Sequence, residues 1–262
     1  MGTVLNSSLL NFHENIKKIG AVRESPLYLL RWKSYLTMSI IQIRDLKKIV
    51  QKSNIPILNG INLNIEEGET VSITGESGCG KTTLLNIIGG LTRVTEGKVI
   101  VKDVEISSKN DQELSEFRNK TIGFIFQNYE LLEEHTCFEN VVLPILFGDT
   151  DIDIKERGME VLKMVGLEDK TELFPDELSG GQCQRIAIAR AVVNYPEIIL
   201  ADEPTSNLDD KTAEGIVEIL KGINEKLNTT IVIASHSDEV FHISDKVFTL
   251  SEGNLILRPL KY

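Results

Sequence analysis

Gly75-Glu76-Ser77-Gly78-Cys79-Gly80-Lys81-Thr82 fits the spacing G-x-x-x-x-G-K-[ST] and follows the alternating run Val71-Ser72-Ile73-Thr74. A strand that enters a glycine-rich turn and then a helix starting near Lys81 is the context in which this spacing cradles phosphate. Gly75, Gly78 and Gly80 let the backbone approach phosphate oxygens, so that successive N–H groups and the helix N-terminus face the negative charge. Lys81 is placed to reach the β- and γ-phosphates, and the Thr82 hydroxyl to ligate Mg²⁺. Ser77, Cys79 and Thr83 complete the expected nucleotide-binding set. Cys79 reads as a small residue filling the turn, with its thiol beside a helix N-terminus.

Outward from this loop, strands alternate with helices. Upstream, two strand-like runs between 39 and about 66 flank Ser53-Asn54-Ile55-Pro56, and Glu67-Gly68 turns the chain into the strand before the loop. Downstream, strands are predicted over 98–101, 122–126, 198–202, 230–234, 246–250 and 254–258, with helices over 179–194 and 211–227. Residues 128 to about 178 read instead as amphipathic helical segments, such as 153–165, punctuated by Pro144 and Pro175. The expected fold is α/β: a P-loop core with a mainly parallel sheet, antiparallel β strands at the N-terminal side and an inserted α-helical subdomain. Ligands on such sheets sit beyond the carboxyl ends of the strands, where Gly75, Gln127, Asp202 and His236 all fall.

The bulk numbers narrow the class of partner. The 262 residues are 41% hydrophobic, ample for a buried core, and carry a formal net charge of −11. An acidic surface argues against a nucleic-acid partner, whose binding needs Lys and Arg to neutralise phosphates. Cys79, Cys137 and Cys183 are odd in number and lack metal-ligand spacing, which points to reduced thiols in a cytosolic compartment. No apolar run approaches the roughly 18 residues needed to cross a bilayer, so a membrane role needs another chain to span it. Residues 1–37 hold five Lys or Arg against two Asp or Glu, a net +3 that leaves −14 for the rest. They read as a loosely attached extension, or as the product of a start assigned upstream of Met38.

Leu178-Ser179-Gly180-Gly181-Gln182 is a second phosphate-facing helix start, with Ser179 as N-cap and Gly180 and Gly181 exposing backbone N–H groups. With this motif the chain resembles the ATPase subunits of ATP-binding-cassette (ABC) transporters. In that family the signature serves the site of the opposite subunit, so the resemblance implies a head-to-tail homodimer with two ATP molecules at its interface, Ser179, Gly180, Gly181 and Gln182 contacting the partner's nucleotide. It assigns Asp202 to Mg²⁺ and Glu203 to the attacking water, a division that suits a hard cation and an in-line displacement. By the same resemblance Gln127 contacts Mg²⁺ or the water and joins the core to the helical insert, and His236 hydrogen-bonds the γ-phosphate. Asp209, in Ser206-Asn207-Leu208-Asp209, couples the two sites.

The resemblance covers roughly residues 39–258. It is closest to the branch of lipoprotein-releasing, macrolide-export and antimicrobial-peptide ATPases, on three stretches: Phe117-Arg118 before Ile122-Gly123-Phe124-Ile125-Phe126-Gln127; Glu139-Asn140-Val141-Val142-Leu143-Pro144; and Ala201-Asp202-Glu203-Pro204-Thr205-Ser206-Asn207-Leu208-Asp209. It implies an ATPase, cytoplasmic and peripheral on the inner face of the cell membrane, that powers a separate permease for export or extraction of a peptide, lipoprotein or drug. The alternative is a signalling ATPase whose membrane partner moves no cargo. One family feature is missing: the aromatic ring expected before the loop to stack on adenine is replaced by Val50, so base selectivity is expected to be relaxed.

Overall fold

The computed structural model describes residues 39–50, 55–148 and 151–259; the extension predicted over 1–37 lies outside the described residues. The chain starts with two long antiparallel strands, β1 (Ser39–Val50) and β2 (Ile55–Glu66). The alternation visible in the sequence stops at Arg44, but β1 continues through Asp45, which takes a left-handed φ of 46° where the β1–β2 register shifts. Ile55 and Pro56, expected in a turn, instead open β2. Proline is tolerated there because β2 is the edge of a four-stranded sheet of order β2-β1-β4-β5, completed by β4 (Glu96–Val101) and β5 (Val104–Glu105).

The second sheet begins with β3 (Thr70–Thr74), which feeds the glycine-rich loop and helix α1 (Lys81–Ile88). Helix α2 (Asp111–Thr121), absent from the sequence expectation, follows β5 and runs directly into β6 (Ile122–Ile125). Helices α3 (Cys137–Leu146) and α4 (Ile154–Met164) occupy the predicted helical stretch, and α5 (Gly180–Val192) carries the signature at its start. Then come β7 (Ile198–Asp202), α6 (Asp210–Leu227), β8 (Thr230–Ala234), the short α7 (Asp238–His242), β9 (Lys246–Ser251) and β10 (Asn254–Arg258).

The six strands order as β10-β9-β3-β8-β7-β6, all pairs parallel except β10 with β9. β7 and β8 read as nearly continuous apolar runs because helices cover both faces of a parallel sheet, and all five residues of β8 are buried. The register aligns the strand ends: Ile73 opposes Ala234, Ala234 opposes Asp202, and Ala201 opposes Ile125. Loops leaving β3, β6, β7 and β8 therefore emerge side by side at one edge.

Two apolar clusters hold this arrangement. The first joins β1 and β2 to α1 through residues such as Ile41, Leu58, Leu84 and Ile88. The second places Val141, Val142, Val161 and Leu162 of α3 and α4 against Ile186, Ile188, Leu220 and Ile233, so the helical stretch shares its core with the sheet and with α5. Arg157 on α4 adds a polar rivet: fully buried, it donates from Nε to Val193 O (2.9 Å) and from Nη2 to Val192 O (2.6 Å), satisfying carbonyls at the C-terminal end of α5.

Candidate functional site

The loop after β3 folds as a cradle for steric reasons visible at two glycines. At Gly75 (φ 152°) a side-chain carbon would lie 2.3 Å from the Leu250 carbonyl oxygen, and at Gly80 (φ 110°) it would lie 2.7 Å from an Ile57 methyl. Any larger residue would displace the neighbouring backbone or the packing beneath the loop. The result is a cavity of about 510 Å³ walled by Gly75, Glu76, Ser77, Gly78, Gly80, Lys81, Thr82 and Thr83 on one side and by Gln127, Glu203, Ser206 and His236 on the other.

Cys79 alone of residues 75–83 contributes nothing to this wall. Its thiol packs inward against the first apolar cluster, close enough to Gly75 that a side-chain carbon there would sit 2.7 Å from Sγ. The expectation that Cys79 belongs to the binding set thus holds at most for its backbone. Cys137 and Cys183 are buried and free; burial pushes the Cys137 thiol up to about 11 and raises that of Cys183.

Lys81 Nζ bridges the carbonyls of Gly75 (2.9 Å) and Glu76 (3.2 Å) and stands 3.6 Å from Glu203 Oε1. The other carboxylate oxygen of Glu203 meets His236 Nδ1 at 3.0 Å. Glu203 holds a left-handed φ of 46°, the sort of local strain that survives where the surroundings fix it, here through its N–H to Ala234 O (2.8 Å). The Gln127 amide donates to the Ser206 hydroxyl (3.3 Å), which donates in turn to Glu203 O (3.1 Å). Glu203, His236 and Gln127 are thereby linked around one cavity.

Asp202 sits deeper. Burial raises its carboxyl above the usual range, opposed by a hydrogen bond from Thr82, and its Oδ1 is buried without a hydrogen-bond partner. A buried, unpaired carboxylate oxygen beside a threonine hydroxyl is a donor set that fits a hard divalent cation. Among the described residues there is no cluster of three His, Cys, Asp or Glu that would hold a metal by protein side chains alone.

Ser179, Gly180, Gly181, Gln182 and Asp209 do not line the cavity. Ser179 is the N-cap of α5 as expected, in a reciprocal box: Gln182 N–H donates to Ser179 Oγ (3.4 Å) and Ser179 N–H to Gln182 Oε1 (2.9 Å). Ser179 and Gly180 are exposed, so the helix start faces outward from the protomer. Asp209 caps α6, accepting from Thr212 N–H (3.1 Å) and Thr212 Oγ1 (2.7 Å), a local role that motif resemblance did not reveal. Glu76 and Ser206 are cavity residues left out of the expected set; the spacing of Ser206 one short turn after Glu203 was the available signal.

A strand, a glycine-rich cradle and an acidic pair at the end of β7, separated from β3 by β8 alone, define a P-loop nucleoside triphosphatase. The family model described as ABC transporter matches residues 58–206. The lipoprotein-releasing ATP-binding protein LolD of Cytophaga hutchinsonii is 42% identical over 203 residues, covering 77% of this chain and 93% of that protein. The macrolide export ATP-binding/permease protein MacB of Rhodopirellula baltica is 41% identical over 219 residues, 82% of this chain but 32% of that longer protein. A dimeric ABC cassette, MJ0796 of Methanocaldococcus jannaschii in a post-hydrolysis state with ADP and Pi, superposes with a TM-score of 0.78 at 40% identity, covering 85% of this chain and 99% of that one. The chain belongs to the ABC transporter family and is one of its ATP-hydrolysing subunits.

Among the described residues no Phe, Tyr or Trp lines the cavity, and Val50 lies exposed at the end of β1. Aromatic stacking on a base is worth about 1–3 kcal/mol. Without it, kcat/KM for GTP is expected within about fivefold of that for ATP in steady-state assays of the purified subunit. A strict ATP preference would mean that another residue reads the base.

Proposed function

We propose that two copies of this subunit pair head to tail on binding ATP. Each nucleotide is then clamped between the Gly75–Thr83 loop of one protomer and the Ser179–Gln182 helix start of the other. The observation that carries this reading is the presence on one chain of two glycine-flanked helix N-termini, that of α1 walling the chain's own cavity and that of α5 exposed outside it. An anion is stabilised at either end by aligned N–H groups and the helix dipole, and the exposed one has nothing to stabilise within its own protomer.

Within the clamp, Lys81 is freed from the Gly75 and Glu76 carbonyls to meet the β- and γ-phosphates. Glu203 orients water and takes its proton, with His236 against the γ-phosphate. Thr82, Asp202 and Gln127 would hold Mg²⁺, which supplies neutralisation of charge on the phosphates. Asp209, besides capping α6, joins the interface.

The dimer works a separate membrane permease. Among the described residues no helix is long and apolar enough to cross a membrane, which supports a spanning partner. A groove of about 390 Å³ lined by Leu91, Phe124, Pro144 and the widely exposed Phe147 offers the apolar surface such a partner needs. Residues 128 to about 178 act as the helical subdomain that passes ATP-driven closure to cytoplasmic helices of the permease. In this reading the subunit works in the cytoplasm against the inner face of the membrane, and its net charge of −11 supports a partner other than nucleic acid.

Likeness to the releasing and exporting relatives supports cargo that is a lipoprotein, peptide or drug moved out of or across that membrane. The subunit is expected to copurify from detergent-solubilised membranes with one permease, and the pair to move cargo in reconstituted vesicles only with ATP. ATP turnover with no movement of lipoprotein, peptide or drug would instead identify a signalling complex.

A further inference from the structure

The segment that delivers Gln127 to the cavity is held in an unfavourable backbone conformation. After β6, Tyr129 (φ 64°) and Glu130 (φ 49°) are consecutive left-handed residues, and neither is glycine or asparagine. Such a pair persists only where its surroundings over-determine it. The determinant is Arg190 in the last turn of α5. Its Nη2 donates to Tyr129 O (2.6 Å) and its Nη1 to Glu130 O (2.5 Å), so one planar guanidinium takes both carbonyls of the strained pair.

The same segment reaches the other end of α5. A side-chain carbon on Gly180 would lie 3.0 Å from the Tyr129 hydroxyl. Side chains on a helix lean toward its N-terminus, so the Arg190 side chain and the Tyr129 ring together span the helix from its last turn to its signature glycine. On the cavity side, Asn207 Nδ2 donates to Gln127 O (3.3 Å) and the Gln127 amide to Ser206. Gln127 is thus pinned from one side by the loop after β7 and from the other, through residues 129 and 130, by α5.

We propose that Arg190 is a positioning residue for ATP hydrolysis: by holding Tyr129 and Glu130 left-handed it keeps the Gln127 amide in the nucleotide cavity, and through Tyr129 it ties that amide to Gly180. The inference rests on the reading that Gln127 serves the nucleotide of its own protomer and Gly180 that of the partner. Its consequence is that one displacement of α5 is felt at both nucleotides. Arg190 and Glu130 also line the groove offered to the permease, so an occupant there acts on the clamp directly.

The test is a double-mutant cycle on the full-length subunit, reading kcat and KM for ATP together with the melting temperature. Arg190→Gln is expected to lower kcat about tenfold, as misplacing a catalytic group by a fraction of an ångström does, with KM changed less than about twofold. In a Gln127→Ala background the same substitution is expected to change kcat by less than about twofold, because the group it positions is gone. Multiplying losses in the double variant would make Arg190 a general stabiliser and overturn the inference.

An impaired Gln127→Ala beside a wild-type Arg190→Gln overturns the inference alone; a wild-type Gln127→Ala overturns the role of Gln127 and the inference with it. If Arg190→Gln does not fold, Glu130→Pro gives the readout with Arg190 intact. Proline fixes φ near −65° at this exposed position and pushes Tyr129 toward extended backbone. Loss of about tenfold in kcat at an unchanged melting temperature supports the clamp, and wild-type kcat overturns it.

Discussion

Glu203→Gln is expected to bind ATP and form ATP-driven dimers while its turnover falls by about 100-fold or more, the lower end of what a general base contributes. The geometry sets each half of that result. Glutamine keeps the length of Glu203 and one acceptor oxygen, which can still meet Lys81 Nζ, while its NH2 can donate to His236 Nδ1 in the tautomer that accepts there. What disappears is the negative charge and the ability to take a proton. Losing the charge also removes repulsion between the carboxylate and the incoming γ-phosphate, so affinity for ATP is expected to be equal or higher. Dimers should therefore accumulate with ATP and not with ADP, read by size-exclusion chromatography beside a phosphate-release assay. A variant that hydrolyses at the normal rate would remove Glu203 from the role of base, whatever its dimerisation.

The parts of this site that could be read from sequence are those in which a few consecutive residues impose the local structure. Gly75 and Gly80 must be glycine because backbone or packed side chain stands where a side-chain carbon would go, and Ser179 with Gln182 writes a helix start into four letters. β7 and β8 were legible to the residue because strands buried on both faces need unbroken apolar runs. Helix α2 was not, since only Leu114 and Thr121 of its eleven residues are buried and no apolar period shows; the Asn110–Glu113 capping box was the signal to read. Nor was the full length of β1, where a bulge at Asp45 and the paired lysines 47 and 48 interrupt the alternation.

Side-chain direction and long-range contact lie beyond such reading. Nothing in the loop motif says that Cys79 turns inward, and the clamp of Arg190 on Tyr129 joins residues 61 apart in the chain. Asp209 shows the opposite failure: its motif position carries a functional label, while its hydrogen bonds within the protomer are those of a plain helix cap.

The proposed pairing of two protomers makes a prediction that no monomeric ATPase shares. Lys81→Ala removes the cation from the cradle, and Ser179→Arg places a bulky cation at the exposed helix start of α5; each alone is expected to reduce hydrolysis by about 100-fold or more, because each disables one half of both composite sites. When the two variants are mixed, random pairing gives half heterodimers, and in each of these one site joins a disabled loop to a disabled signature. The other site joins the intact loop of Ser179→Arg to the intact signature of Lys81→Ala. With independent sites the mixture should recover about a quarter of wild-type activity, since half the dimers carry one working site of two. Recovery should grow with protein concentration as dimerisation does, vanish if the Ser179→Arg variant also carries Glu203→Gln, and persist if the Lys81→Ala variant carries it instead, because Glu203 lies beside the loop of its own chain. That dependence separates a shared site from a self-contained one. If loop and signature of one chain served the same nucleotide, no mixture of the two variants could contain an intact site, and activity would stay at the level of the singles at every concentration.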